Sequence, residues 1–430
     1  MRAFAFLALF ALALAGAAGE DKAEAPVGFD GATNGLVDQA THDADREAFD
    51  EVELLAEGLG PIYNAQSCRE CHQNPISGGL SQVTELRAGH RDAAGRFQNP
   101  SVPVANGAAV ITGRTLINDR AVCPSGQYPD VELQERVPDS ETIRTQRTSL
   151  NLLGDGFVEA VADETLKALA ERQCKETKGR ICGLALPVPV LEAPGQKAIG
   201  KFGWKGQQAS LLSFSADAYL NEMGITSRLL PDEFTTLCDP EEDPEDKPEK
   251  DGLADIDRFA RFMRATKAPA RDAKLAQTED ATKGSAIFDA IGCATCHVRT
   301  LETAPAGTKM NAGAFTVPDA LGGKVFHPFG DFLLHDVGTG DGIAVAIVEH
   351  FGLAVARQER QSNLEPTANR MRTPPLWGVR MRSRLMHDGE SETFTDAIVG
   401  HKGEADRERK KFSKLKPREK EQLLAFLRSL

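Results

Sequence analysis

The sequence predicts a mainly α fold divided into two domains, with long loops and a few short strands, and three observations carry that expectation. Apolar residues recur at helical spacing in the segments that open and close the C-terminal half. Period-two alternation is scarce, apart from short β-branched pieces such as Val110-Ile111-Thr112 that suit small ribbons. Residues 238–252 interleave prolines with a run of acids, a composition that cannot bury a core and reads as a linker, so the domain boundary is expected near residue 250. Those acids lack the spacing of an EF-hand, and a solvated loop is expected there rather than a calcium site.

At the N-terminus, Arg2 precedes an apolar run over residues 3–14, and Ala15-Gly16-Ala17 offers a small-residue cleavage site. Residues 1–17 therefore read as an export signal. The run is shorter than the ~18 residues of a membrane span, so a soluble periplasmic protein without a membrane anchor is expected. About 410 residues remain after cleavage, above the ~250–300 at which single cores divide. Residues 18–250 and 251–430 are the expected domains. The net charge of −13 argues against nucleic acid and suits a basic or mixed-charge partner such as a small cytochrome.

Cys-X-X-Cys-His occurs twice, as Cys68-Arg-Glu-Cys71-His72 and Cys293-Ala-Thr-Cys296-His297. That spacing lets two thiols reach the two vinyl groups on one porphyrin edge while the adjacent histidine falls beneath the iron. A structural zinc site would need four closed ligands with paired spacings, and a redox dithiol does not require the histidine. Two covalently bound c-type haems, with His72 and His297 as proximal iron ligands, are the expected cofactors. The other four thiols, Cys123, Cys174, Cys182 and Cys238, are expected to pair in an oxidising compartment; of three connectivities, the short loop Cys174–Cys182 is the first expectation.

The second haem motif sits in the pattern of a small cytochrome. Lys283 to Gly292 leads into it with Ala286, Ile287, Ala290 and Ile291 at helical spacing. The C-terminal segment starts with Pro417 in its first turn and places Leu423, Leu424, Phe426 and Leu427 on one face. Both halves are thus expected to be cytochrome c-like haem domains.

The segment from Arg372-Thr-Pro-Pro-Leu-Trp-Gly-Val-Arg380 to Leu385-Met-His-Asp-Gly389 resembles the C-terminal mark of the bacterial di-haem cytochrome c peroxidase superfamily. Gly58-Leu-Gly-Pro-Ile-Tyr-Asn64, Gly200-Lys-Phe-Gly-Trp-Lys205, Met223-Gly-Ile-Thr-Ser227 and Asp331-Phe-Leu-Leu-His-Asp336 are similar to its di-haem oxidoreductase branch, also described as thiol oxidoreductase-like. The resemblance spans roughly residues 45 to 430.

What the resemblance implies is asymmetric. Its second haem takes a sixth ligand fourteen residues after the histidine of the His-Asp-Gly turn, which here is His401 rather than the usual Met or Tyr. Bis-histidine ligation by His297 and His401 follows, with a lower potential than a His/Met pair; Met386 is the alternative ligand. His387 and His335 are expected beside the haem rather than on the iron. For the first haem, the stretch Arg147-Thr-Ser-Leu-Asn to Glu159 matches the one that supplies the distal carboxylate, so Glu159 is the expected acid–base residue. His90, eighteen residues after His72, lies where some members place a displaceable iron ligand. Trp204 and Trp377 are the only tryptophans and either suits an inter-haem bridge. The superfamily's bridging tryptophan precedes its glutamate, as neither does here, so no tryptophan is carried over. Calcium lies between domains in some relatives, held by carbonyls that side chains do not reveal.

The expected function is reduction of hydrogen peroxide to water with electrons from a small redox protein. An oxidase acting on a protein or organic substrate, and a di-haem electron carrier without catalysis, are the alternatives. The donor, the haem potentials and the oligomeric state are left open by the sequence.

Overall fold

The computed structural model describes residues 23–239, 241–351 and 358–430, with backbone alone for 346–351 and 358–364. The export signal expected at residues 1–17 lies outside the described residues.

The fold is not mainly α, which corrects the expectation from sequence. Helix accounts for 33% of the chain and strand for 16%, the latter spread over small sheets of at most four strands among the described residues. The reason lies in segments whose strand character is hidden by charge. Strand β1 (Thr84–Arg91) pairs antiparallel with β2 (Phe97–Gln98), β3 (Leu116–Ile117) and β4 (Ile143–Thr148). β4 reads Ile-Arg-Thr-Gln-Arg-Thr, without apolar alternation, because it packs among buried ion pairs rather than on a greasy face. The expected ribbon does form: Ala109–Ile111 pairs with Val102–Val104.

Under the first motif, three helices pack together. α1 (Gln39–Asp50) lies on α4 (Asp255–Ala265) through Phe49 and Phe262, whose ring centres are 4.8 Å apart, and through the bidentate Arg261–Asp45 pair at 2.6 and 2.7 Å. α3 (Leu211–Ala218) completes the group, its extension placing Tyr219 edge-on to Phe259. α4 follows residue 250 in sequence but belongs to this N-terminal helix group in space. Between the motifs runs α2 (Asp163–Glu176), whose Cys174 bonds Cys182; the second disulfide joins Cys123 to Cys238.

The second motif follows α5 (Glu279–Ile291), which crosses the terminal helix α8 (Pro417–Arg428). The crossing needs Gly284: a Cβ there would stand 1.9 Å from the Gln422 carbonyl oxygen. Phe288, Phe329 and Phe426 fill the junction with Leu423 and Leu427. Proline in the first turn of α8 fits its position, where a missing N–H costs no hydrogen bond. Between these helices come α6 (Phe394–Gly400) and α7 (Asp406–Lys414). The halves share one core, since Phe326 packs on Phe157 and Ala304 N–H donates to the Ala160 carbonyl at 2.8 Å. Among the described residues no helix is long and apolar enough to cross a membrane.

Candidate functional site

α5 ends at Gly292, whose φ of 102° turns the chain into the short helical turn Cys293–Thr295 and presents both thiols and His297 on one side. Opposite stands His401, the residue that caps α6. The two imidazole ring centres are 6.5 Å apart and the rings are inclined by 63°. Each ring is oriented through Nδ1: that of His297 donates to the Phe329 carbonyl at 3.1 Å, and that of His401 to the Ala397 carbonyl at 2.7 Å. Donation through Nδ1 leaves Nε2 of each ring as the free lone pair. Burial pushes the pKa of His297 down to about 4, helped by the neighbouring His401, and burial lowers that of His401 too. Neutral rings are what ligation requires.

A cleft open at its mouth surrounds the two rings. Phe288, Leu376, Val379, Leu385, Leu423 and Leu427 give it apolar walls. The donor set fits a haem: two opposed imidazoles spaced for one metal with bonds of about 2 Å each, two thiols at the rim and greasy walls for the macrocycle. Burial drives the Cys293 thiol up to about 12. Met386 and His387 also line the cleft, and His387 Nδ1 is buried without a hydrogen-bond partner.

His335 lines the cleft beside Cys296. Its Nε2 is 3.0 Å from Asp331 and its Nδ1 2.8 Å from Glu404, with Cys296 Sγ at 4.0 Å. Burial opposes charge on this ring, yet the Asp331 carboxylate outweighs it and holds the pKa well above the ordinary value.

The first motif forms the short helix Cys68–Cys71, with His72 closing it. Nδ1 of His72 faces the Gly79 carbonyl at 3.4 Å, the ring also bonds the Leu150 backbone, and Phe49 packs 6.4 Å away. Burial lowers its pKa to about 4. The same neutral, Nδ1-anchored imidazole beside two thiols fits a second haem.

The remaining expected residues are placed differently. His90 lies on β1 and its Nδ1 is 2.8 Å from Glu141. Glu159 is fully buried. Its Oε2 accepts from Arg264 Nε at 2.6 Å, and its Oε1 from Arg264 Nη2, Leu211 N–H and Asn311 Nδ2. The structure joins Glu159 to this polar knot between the halves rather than to His72. Sequence reading passed over two carboxyl groups, Glu85, which accepts from Arg87 Nε at 2.5 Å, and Glu222, whose carbonyl receives the N–H groups of Asn64 and Ala65 ahead of Cys68. The alternation Glu85-x-Arg87 on one strand face, and the position of Glu222 directly before the Met223-Gly-Ile-Thr-Ser227 motif, were the available signals.

Trp204 connects the two sites. It lines the second cleft, lies 6.2 Å edge-on from His387, and donates its indole N–H to the Thr148 carbonyl at 2.7 Å. Thr148 is the last residue of β4, which pairs with β1. Trp377 instead packs on Phe326.

Two opposed or anchored haem-type sites in one shared core define a di-haem protein, and comparison with known families agrees. Residues 128–430 match the family described as "Di-haem oxidoreductase, putative peroxidase", and the chain belongs to that family. It is a di-haem oxidoreductase. No curated protein matches the chain. Among solved structures, hydrazine synthase of Kuenenia stuttgartiensis, in a xenon-pressurised crystal, is similar at 21% identity with a TM-score of 0.25. The match covers 41% of this chain and 55% of that one.

Proposed function

We propose that this is a periplasmic enzyme that reduces hydrogen peroxide to water, with one c-type haem attached at Cys68 and Cys71 and the other at Cys293 and Cys296. The observation that carries this reading is the inequality of the two sites. His297 and His401 oppose each other across 6.5 Å and would hold one iron from both sides, whereas the described ring contact of His72 is with Phe49, the counterpart of Phe288 beside His297. A bis-imidazole iron suits electron transfer, and an iron with a free position suits ligand chemistry. The two disulfides favour an oxidising compartment.

The bound haems supply the electron chemistry; the chain orients and insulates it. Phe329 and Ala397 carbonyls fix the ligating tautomers of His297 and His401. The route between the sites runs through Trp204 to Thr148 and on to Leu150 at His72. Electrons enter at the second site, where α7 presents exposed Arg407, Lys410 and Lys414 next to the cleft. That local sign favours an acidic donor protein, although the chain as a whole is acidic.

Electron paramagnetic resonance of the oxidised and half-reduced protein tests the proposal. One low-spin centre and one centre that becomes ligand-binding, together with peroxide turnover by a reduced donor, are expected. Two low-spin centres that bind neither cyanide nor peroxide make the protein an electron carrier; ligand binding without peroxide turnover, but with oxidation of a protein or organic substrate, makes it an oxidase.

A further inference from the structure

Arg382 stands on the wall of the second cleft, and no role yet described uses it. The fold fixes its guanidinium. Nη2 donates to Thr148 Oγ1 at 2.7 Å and to the Ser149 carbonyl at 3.0 Å, Nε donates to the Arg384 carbonyl at 3.3 Å, and Cζ lies 5.9 Å from the centre of the Trp204 ring. Thr148 and Trp204 are themselves hydrogen-bonded, so the cation rests on a braced corner where β4 of the N-terminal half meets the cleft. All three acceptors are neutral. Nη1, with its two N–H groups, has no protein acceptor among the described residues.

The charge is therefore unanswered by protein. Arginines elsewhere in the interior meet carboxylates directly: Arg114 with Glu135, Arg147 with Asp341 and Arg264 with Glu159, at 2.8, 2.7 and 2.6 Å. No such partner reaches Arg382 among the described residues, and burial alone pulls its pKa down to about 10. A desolvated cation held only by neutral acceptors is costly as scaffold. The other charged groups of the cleft wall are already engaged: Arg409 pairs with Asp406, His335 lies between Asp331 and Glu404, Glu408 pairs with Arg180, and Arg372 donates to the Gly203 carbonyl with Asp155 and Asp331 as its neighbouring carboxyl groups. His387 shares the corner, its carbonyl accepting from the Thr148 N–H at 2.7 Å, and burial lowers the pKa of its ring.

The group that this cleft fits brings the missing charge with it, since a haem carries two propionate carboxylates on the edge opposite its vinyl groups. We propose that Arg382 is a propionate anchor of the second haem, its free Nη1 side pairing with a haem carboxylate while Nη2 and Nε tie that carboxylate to the end of β4. The inference rests on the reading of a haem attached at Cys293 and Cys296, and is independent of the peroxide reaction. Arginine suits the task because its planar fork meets a carboxylate with more than one N–H, which a point charge does not. The pairing has an electronic consequence. Reduction removes one positive charge from the iron centre, so a cation beside the macrocycle favours the reduced form and offsets part of the low potential that two imidazoles impose. Arg382 is thus a positioning residue, acting on the second iron through the haem edge and through charge.

Redox titration of the holoprotein, with the two haems followed separately, and resonance Raman spectroscopy of the propionate bending modes test the assignment without turnover. Arg382→Gln should keep both haems attached and shift the reduction equilibrium of the second haem roughly tenfold toward the oxidised form, a fall of ~59 mV for one electron. A propionate bending band of that haem should move as well. Arg382→Lys retains the charge and loses the fork, so it should hold most of the potential while the band still moves. If Arg382→Gln does not fold, the lysine variant decides, and an unchanged band in it overturns the inference. Wild-type potential and bands in the glutamine variant overturn it too, as does a shift confined to the first haem. A second-haem potential that follows chloride concentration in the wild type gives the site to a solvent anion instead. If a haem count finds no haem at Cys293 and Cys296, the reading of that site falls and this inference with it.

Discussion

The indole N–H of Trp204 donates to the carbonyl of Thr148 at 2.7 Å, and this single hydrogen bond ties the wall of the second cleft to the end of β4, a strand of the N-terminal half. Trp204→Phe should leave both haem spectra unchanged, cost about 1 kcal/mol of stability for the lost buried bond, and slow electron passage between the sites. Pulse-reduction kinetics that match the wild type would remove Trp204 from the route.

His401→Met exchanges an imidazole for a thioether at a ring whose Nδ1 is anchored on Ala397. The second haem's potential should rise by on the order of 0.1–0.3 V, a fraction of the ~0.8 V that axial ligands span. Redox titration reads this directly. An unchanged potential would mean that His401 does not ligate.

Glu159 carries both the acid–base role that the family resemblance implies and a buried ion pair with Arg264. Glu159→Ala should cost about 3–5 kcal/mol, because it leaves the Arg264 guanidinium buried and unpaired. Thermal melts should show the loss. If the Glu159→Gln protein folds and still turns over peroxide, the role of Glu159 is structural; if it folds and peroxide chemistry alone collapses, its role is at the reaction.

Asp341 gives the pH dependence of stability. Burial raises its pKa, but Arg147 and Lys205, at 2.7 and 2.9 Å, outweigh burial and hold it below the ordinary carboxylate value. A folded-state pKa below the unfolded one stabilises the fold above about pH 4 and loses that contribution as pH falls through the folded value. Denaturant titrations from pH 6 downward should therefore show an acid limb that Asp341→Asn flattens. An acid limb of the same size in the variant would exclude this contribution.

The grouping of two thiols with a histidine and the packing of the last helix were legible because both are local: three side chains within five residues, and a helix whose Leu423, Leu424, Phe426 and Leu427 declare one face. His401 needed only a count from a turn. Glu222 needed more, since nothing in the residues 219–223 announces a π-helical turn, and the Asn64 amide that donates to it lies far away in sequence. The strands were missed for a related reason. Arg147 on β4 finds Asp341 in the other half of the chain, so the polarity that argued against a strand is explained only by tertiary pairing.

The loop closed by Cys174 and Cys182 carries Arg180, which grips Glu408 through both guanidinium nitrogens and reaches the Glu404 carbonyl; Glu404 in turn bonds the Cys182 N–H and His335. The clasp on the second site therefore hangs from a loop of the N-terminal half. Opening the bond between Cys174 and Cys182, eight positions apart, would loosen Arg180 from Glu408 and the Cys182 N–H from Glu404, and with them the carboxylate that meets His335.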